Sequence, residues 1–132
     1  MSEAVVFFDR ALGEEFSFRC KQAGQLASKM RYLTAPWASV LRDGAWLRHA
    51  AHANEMATLL AGELAGIGVD RLHPVEANAV FARLDRAQTR ALRHAGWVVY
   101  QFIGGGARFM CSWQTTPASI HEVVACIAGA GG

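Results

Sequence analysis

The chain opens on a continuous apolar run, Ala4-Val5-Val6-Phe7-Phe8, rich in β-branched and aromatic residues. Such a run predicts a buried strand. Asp9 follows as a predicted N-cap for a helix reaching about Ala23, with Gly24 as its stop. Gln25 to Arg31 is polar and small-residue rich and predicts a loop. A long helical region is expected from about Leu33, broken or kinked at Asp43-Gly44. Beyond that break, Trp46, Ala50, Ala53, Ala57, Leu60 and Leu64 recur at alternating steps of four and three. They define one helix face, suited by its small residues to close packing. Gly66-Ile67-Gly68 is the expected end.

The pattern then changes. Asn78 to Leu84 alternates and predicts a strand. Arg86 to Ala95 predicts a helix stopped by Gly96. Trp97 to Ile103 and Ala107 to Trp113 predict strands joined by a Gly104-Gly105-Gly106 turn. Thr116 caps a final helix with Pro117 at its first position and Ile120, Val123, Val124 and Ile127 on its apolar face, before a fraying Gly-Ala-Gly-Gly tail. The order predicts an α+β fold: an N-terminal strand and long helices leading to a small C-terminal domain with an antiparallel sheet and helices on one face. Two parts follow, residues 1–70 and residues 71–132. The first has a strand but no visible sheet for it.

Composition sharpens this picture. Hydrophobic residues make up 52% of the 132 positions and charged residues 18%, which excludes a disordered chain. So few charges on a small domain imply apolar surface that something else covers. Net charge is +2 and no basic run exceeds two residues, which argues against nucleic-acid binding. No apolar stretch is long enough to cross a bilayer, and the start lacks the basic region of a signal peptide. The three cysteines, Cys20, Cys111 and Cys126, are odd in number and widely spaced. They argue against a disulfide framework or zinc site and for a reducing cytoplasm.

Arg108 stands out among candidate functional residues. It is a guanidinium inside the apolar strand Ala107-Arg108-Phe109-Met110-Cys111. Burying it without an anion is costly, and its planar fork matches a carboxylate. It either binds a substrate carboxylate or lies on an exposed face at the strand start. Lys21 and Lys29-Met30-Arg31 flank the predicted loop, where cations could meet a phosphate or simply sit at solvated helix ends. The triple glycine lacks the Gly-Lys-Ser/Thr of a phosphate loop and precedes a strand, so it is a hairpin turn. His49 and His52 share a helix face, but no Cys, Asp or Glu nearby completes a metal set. They read as a solvated or interface pair. No catalytic triad is visible, and Cys111 and Cys126 read as core residues.

The order and spacing of several segments carry a resemblance. They are Lys21-Gln22-Ala23-Gly24 through Lys29-Met30-Arg31-Tyr32-Leu33-Thr34-Ala35-Pro36-Trp37, then Asp43-Gly44-Ala45-Trp46, Ala53-Asn54-Glu55-Met56-Ala57, Pro74-Val75-Glu76-Ala77-Asn78 and Ala107-Arg108-Phe109-Met110-Cys111-Ser112-Trp113. Together they resemble the threonine aldolases, in particular the low-specificity L-threonine aldolases of the pyridoxal-phosphate (PLP) fold-type I superfamily. The resemblance covers essentially the whole chain.

It implies a concrete chemistry. Family members hold PLP as a Schiff base on a lysine and cleave threonine or allo-threonine to glycine and an aldehyde, the cofactor ring taking up the electrons of the broken Cα–Cβ bond. Arg108 matches the family's arginine clamp on the substrate carboxylate. Lys21 and Arg31 match the basic loop that approaches the cofactor phosphate, although this loop is longer and poorer in Gly than in some relatives. The Schiff-base lysine is expected upstream of Ala4–Phe8, and neither Lys21 nor Lys29 aligns with it. The resemblance thus implies the C-terminal part of an aldolase, with no catalytic residue of its own and no activity alone. It also implies a homo-oligomer or pairing with a larger aldolase chain. Two other readings stay open: a non-catalytic association module, and a small anion- or amino-acid-binding domain using Arg108.

Overall fold

The computed structural model describes residues 4–102 and 105–130. The expected positions Ile103 and Gly104, and the end of the tail, lie outside them. The chain divides into two compact units, Met1–Ala45 and Trp46–Gly132.

In the first unit Ala4–Phe8 forms no strand and is exposed. A strand needs a partner backbone for its N–H and C=O groups, and no other strand lies in this unit among the described residues. Asp9 caps as expected, its carboxylate accepting from the Ala11 amide at 2.9 Å. It opens only a 3₁₀ turn, Arg10–Gly13, before helix α1, Phe16–Gln22. Gly13 lies at the interruption, a residue that weakens helix continuation. The helix stops at Ala23, with Gly24 at φ +69°. Helix α2, Met30–Arg42, starts three residues before the expected point and runs through Pro36. Gly44, at φ +70°, makes the predicted break. The helical elements of this unit contain no buried residue.

The second unit holds the core. Helix α3, Ala45–Gly66, buries Ala53, Ala57, Leu60, Ala61 and Leu64. These follow the predicted stripe from its third position on, while Trp46 and Ala50 stay exposed. Strand β1 (Ala79–Ala82), helix α4 (Arg86–His94), strand β2 (Tyr100–Gln101), strand β3 (Ala107–Met110) and helix α5 (Pro117–Gly129) follow. Reciprocal capping boxes open both later helices, Asp85 with Gln88 and Thr116 with Ser119. The final helix continues through Gly129, further than the glycine-rich tail suggested.

The sheet is antiparallel with order β1-β3-β2. Pairing sets Val80 opposite Phe109 and Ala82 opposite Ala107. These four are buried with Leu60 and Leu64 of α3, Leu92 of α4 and Ile120, Val124 and Ile127 of α5. All three helices therefore cover one face. The intervening residues, Phe81 opposite Arg108 and Ala79 opposite Met110, point the other way.

Candidate functional site

The open face of the sheet is built around Arg108. Strand alternation alone dictates its direction, because Ala107 and Phe109 on either side are buried in the core. Its guanidinium carbon lies 4.9 Å from the centroid of the Phe102 ring. Phe102 meets Phe81 edge-on at 5.7 Å, and Phe81 meets His73 edge-on at 5.4 Å. His73 reaches this row because residues 70–72 pair along the outer edge of β1: the Leu72 amide donates to the Phe81 carbonyl and Arg83 to that of Asp70, each at 2.9 Å. Phe102 is fixed at the hairpin, its amide donating to Gly106 O at 2.8 Å and its carbonyl accepting from Gly105 at 3.0 Å.

The polar accounting at Arg108 does not close within the described residues. Its Nε is buried and has no hydrogen-bond partner. No carboxylate among the described residues pairs with it, whereas Arg19 on exposed α1 does meet one, Glu15, at 3.3 Å. A buried donor of this kind costs about 1–3 kcal/mol while it lacks an acceptor. The site thus places a guanidinium with an unpartnered Nε beside an aromatic ring, a chemistry suited to an anion.

The other sequence candidates lie elsewhere. Lys21 is in the last turn of α1 and Arg31 in the first turn of α2, both exposed and both in the first unit. The Lys29 N-cap provides no side-chain hydrogen bond, so the first amides of α2 lack that partner. His49 and His52 serve packing. The His49 ring stacks on Trp113 at 5.5 Å, and His52 Nε2 lies 2.7 Å from the Thr115 carbonyl. Among the described residues no group of His, Cys, Asp and Glu could hold a metal ion. Cys111 is buried, and burial pushes its thiol above the ordinary value of 9.0. No described helix is long and apolar enough to cross a membrane.

Sequence reading singled out Arg108 but missed His73, Phe81 and Phe102. Their parity along the strands was available. The register that assembles them across three segments was not.

No protein-family model matches the chain. The low specificity L-threonine aldolase of Pseudomonas sp. (strain NCIMB 10558) is 58% identical over 129 residues, which cover 96% of this chain and 37% of that protein. The low specificity L-threonine aldolase of Pseudomonas aeruginosa PAO1 is 57% identical over 125 residues, covering 93% and 36%. A solved structure of Leishmania major threonine aldolase superposes with a TM-score of 0.78 over 89% of this chain and 36% of its own, at 24% identity. That likeness carries the fold. The chain therefore spans little more than a third of the length of the relatives it matches. By sequence and by fold, it is related to the C-terminal portion of the threonine aldolases.

Proposed function

We propose that this chain supplies the substrate-carboxylate clamp of a PLP-dependent threonine aldolase, a lyase that cleaves β-hydroxy-α-amino acids to glycine and an aldehyde. The observation that carries the reading is the buried, unpartnered Nε of Arg108. A substrate carboxylate would accept from Nε and a terminal nitrogen together, fixing the amino acid's orientation by two parallel bonds. In this reading residues 1–70 are the end of the large domain and its connecting helices, and residues 71–132 are the small domain.

The residues present fit the cofactor in charge. Lys21 and Arg31 are exposed cations that make no ion pair among the described residues, and they would hold its phosphate. Bound PLP would supply the electron sink for Cα–Cβ cleavage. Neither Lys21 nor Lys29 matches the family's Schiff-base lysine, so residues 1–132 alone do not cleave threonine. The exposed apolar side chains of the first unit, Val6, Phe8, Phe18 and Tyr32 among them, support association with a second copy or a larger aldolase chain. Three free cysteines are consistent with a cytoplasmic location.

A chimera tests this. Residues 1–132 replace the matching portion of the Pseudomonas sp. relative, and glycine release from L-threonine is measured. The chimera is expected to be active, and Arg108→Ala to lower kcat/KM by about 10- to 150-fold, the loss of a charged hydrogen bond. A folded, cofactor-loaded chimera that tolerates Arg108→Ala would remove the clamp. Light scattering on the 132-residue chain tests association, for which a strict monomer is the contrary result.

A further inference from the structure

We infer that Phe102 is a positioning residue for Arg108, holding the plane of the guanidinium while leaving its N–H fork free for a carboxylate. The inference rests on the clamp reading above and adds the means by which the clamp is oriented.

An arginine is usually oriented by an acidic neighbour. Such a neighbour occupies the same fork that a substrate carboxylate needs. Among the described residues Arg108 has no acidic partner. What meets it is the face of an aromatic ring, at 4.9 Å. A cation–π contact draws the guanidinium charge to the ring face and places no carboxylate on its donors. It restrains tilt without competing for the ligand.

The ring is itself restrained. Its backbone is bonded on both sides at the hairpin. Its edge-on contact with Phe81, at an interplanar angle of 88°, continues to His73 at 83°. Edge-to-face pairs set the positive ring edge against the negative face. A row of such pairs restrains the Phe102 ring through Phe81, which lies directly opposite Arg108 on β1. Register explains the placement. Tyr100 lies directly opposite Arg108 on β2, so Phe102, two residues on, is its diagonal neighbour on the same face. Phe102 is nonetheless 47% exposed, more than a ring serving only the core would be.

The experiment uses the 132-residue chain labelled with nitrogen-15. The Arg108 Nε–Hε resonance, assigned by its loss in Arg108→Ala, reports side-chain order, and glycine titration at millimolar concentrations reports carboxylate binding. In the wild type the order parameter is expected near ~0.8, falling below ~0.6 in Phe102→Leu. Glycine affinity should fall about two- to fivefold in that variant. Phe102→Trp, with a larger ring face, should restore both. Unchanged order and affinity in a folded Phe102→Leu would overturn the inference and leave the clamp standing. If glycine never perturbs Arg108, the clamp fails, and the order parameter still decides the role of Phe102. Should Phe102→Leu misfold, Phe81→Leu replaces it: loosening of Arg108 supports the ring row, and unchanged order overturns it.

Discussion

Helix α3 offers a sharp energetic contrast between its two ends. Leu64 is fully buried and Leu47 is 56% exposed, yet both are leucines of one helix. Truncating Leu64 to alanine removes buried methyl groups and leaves a cavity among α4, α5 and the sheet, at a cost of about 2–5 kcal/mol. The unit Trp46–Gly132 is expected to have a total stability of about 4–13 kcal/mol, from roughly 0.05–0.15 kcal/mol per residue. Leu64→Ala therefore removes a large share. With a urea slope of about 1.5 kcal/mol/M, a 3 kcal/mol loss lowers the midpoint by about 2 M. Leu47→Ala touches no core and should stay within about 0.5 kcal/mol, a shift near ~0.3 M. The assay is urea unfolding of the 132-residue chain, followed by circular dichroism and tryptophan fluorescence. Equal midpoint shifts for the two variants would refute the assignment of the second half of α3 to this core.

Three further outcomes are expected. Arg108→Met loses a cation–π contact of about 0.5–1 kcal/mol but relieves an unpaired buried donor of about 1–3 kcal/mol; its unfolding midpoint should equal or exceed the wild type, and a drop worth more than ~1 kcal/mol counts against an unpartnered Nε. Burial raises the Cys111 thiol above 9.0, so the folded state retains the proton longer than the unfolded chain. Its contribution is present below that pH and is lost as pH rises through the raised value; Cys111→Ala should flatten stability above about pH 9, and iodoacetamide at pH 8 should label Cys20 and Cys126 before Cys111 by mass spectrometry. Amide exchange in the 132-residue chain should be much faster in α1 and α2 than at Leu64, Leu92 and Ile127, because those two helices bury nothing; comparable protection would show a stable core in the first unit.

Much of the second unit was legible from side-chain period. The four apolar positions predicted for the last helix are all buried, and the sheet and its one covered face follow from alternation at residues 79–82 and 107–110. Strand lengths were less legible, because apolar side chains continue past the last ladder bond: Trp97 to Val99 lie outside β2. Ala4–Phe8 shows the opposite failure. Local composition favours a strand, but pairing is a long-range property, and its unit provides no partner. At the site, a charge in an apolar run was enough to mark Arg108. Its neighbours are ordinary aromatics whose meaning depends on which strand lies beside which.

The two faces of β3 separate stability from chemistry. Every residue of the buried apolar core lies between Ala53 and Ile127, and β3 contributes Ala107 and Phe109 to it. Arg108 contributes nothing to that core and leaves an unpaired donor on the other side. A unit this small has little stability to spare, so an unneutralised cation at that position is a cost that packing does not explain. Because successive strand residues face opposite ways, a one-residue slip of β3 would drive Arg108 among Leu64, Leu92 and Ile127 and expose Phe109. The apolar residues on either side of Arg108 thus do more than fill the core. They lock the register that keeps the guanidinium on the aromatic face, so the site is specified by the residues that never touch a ligand.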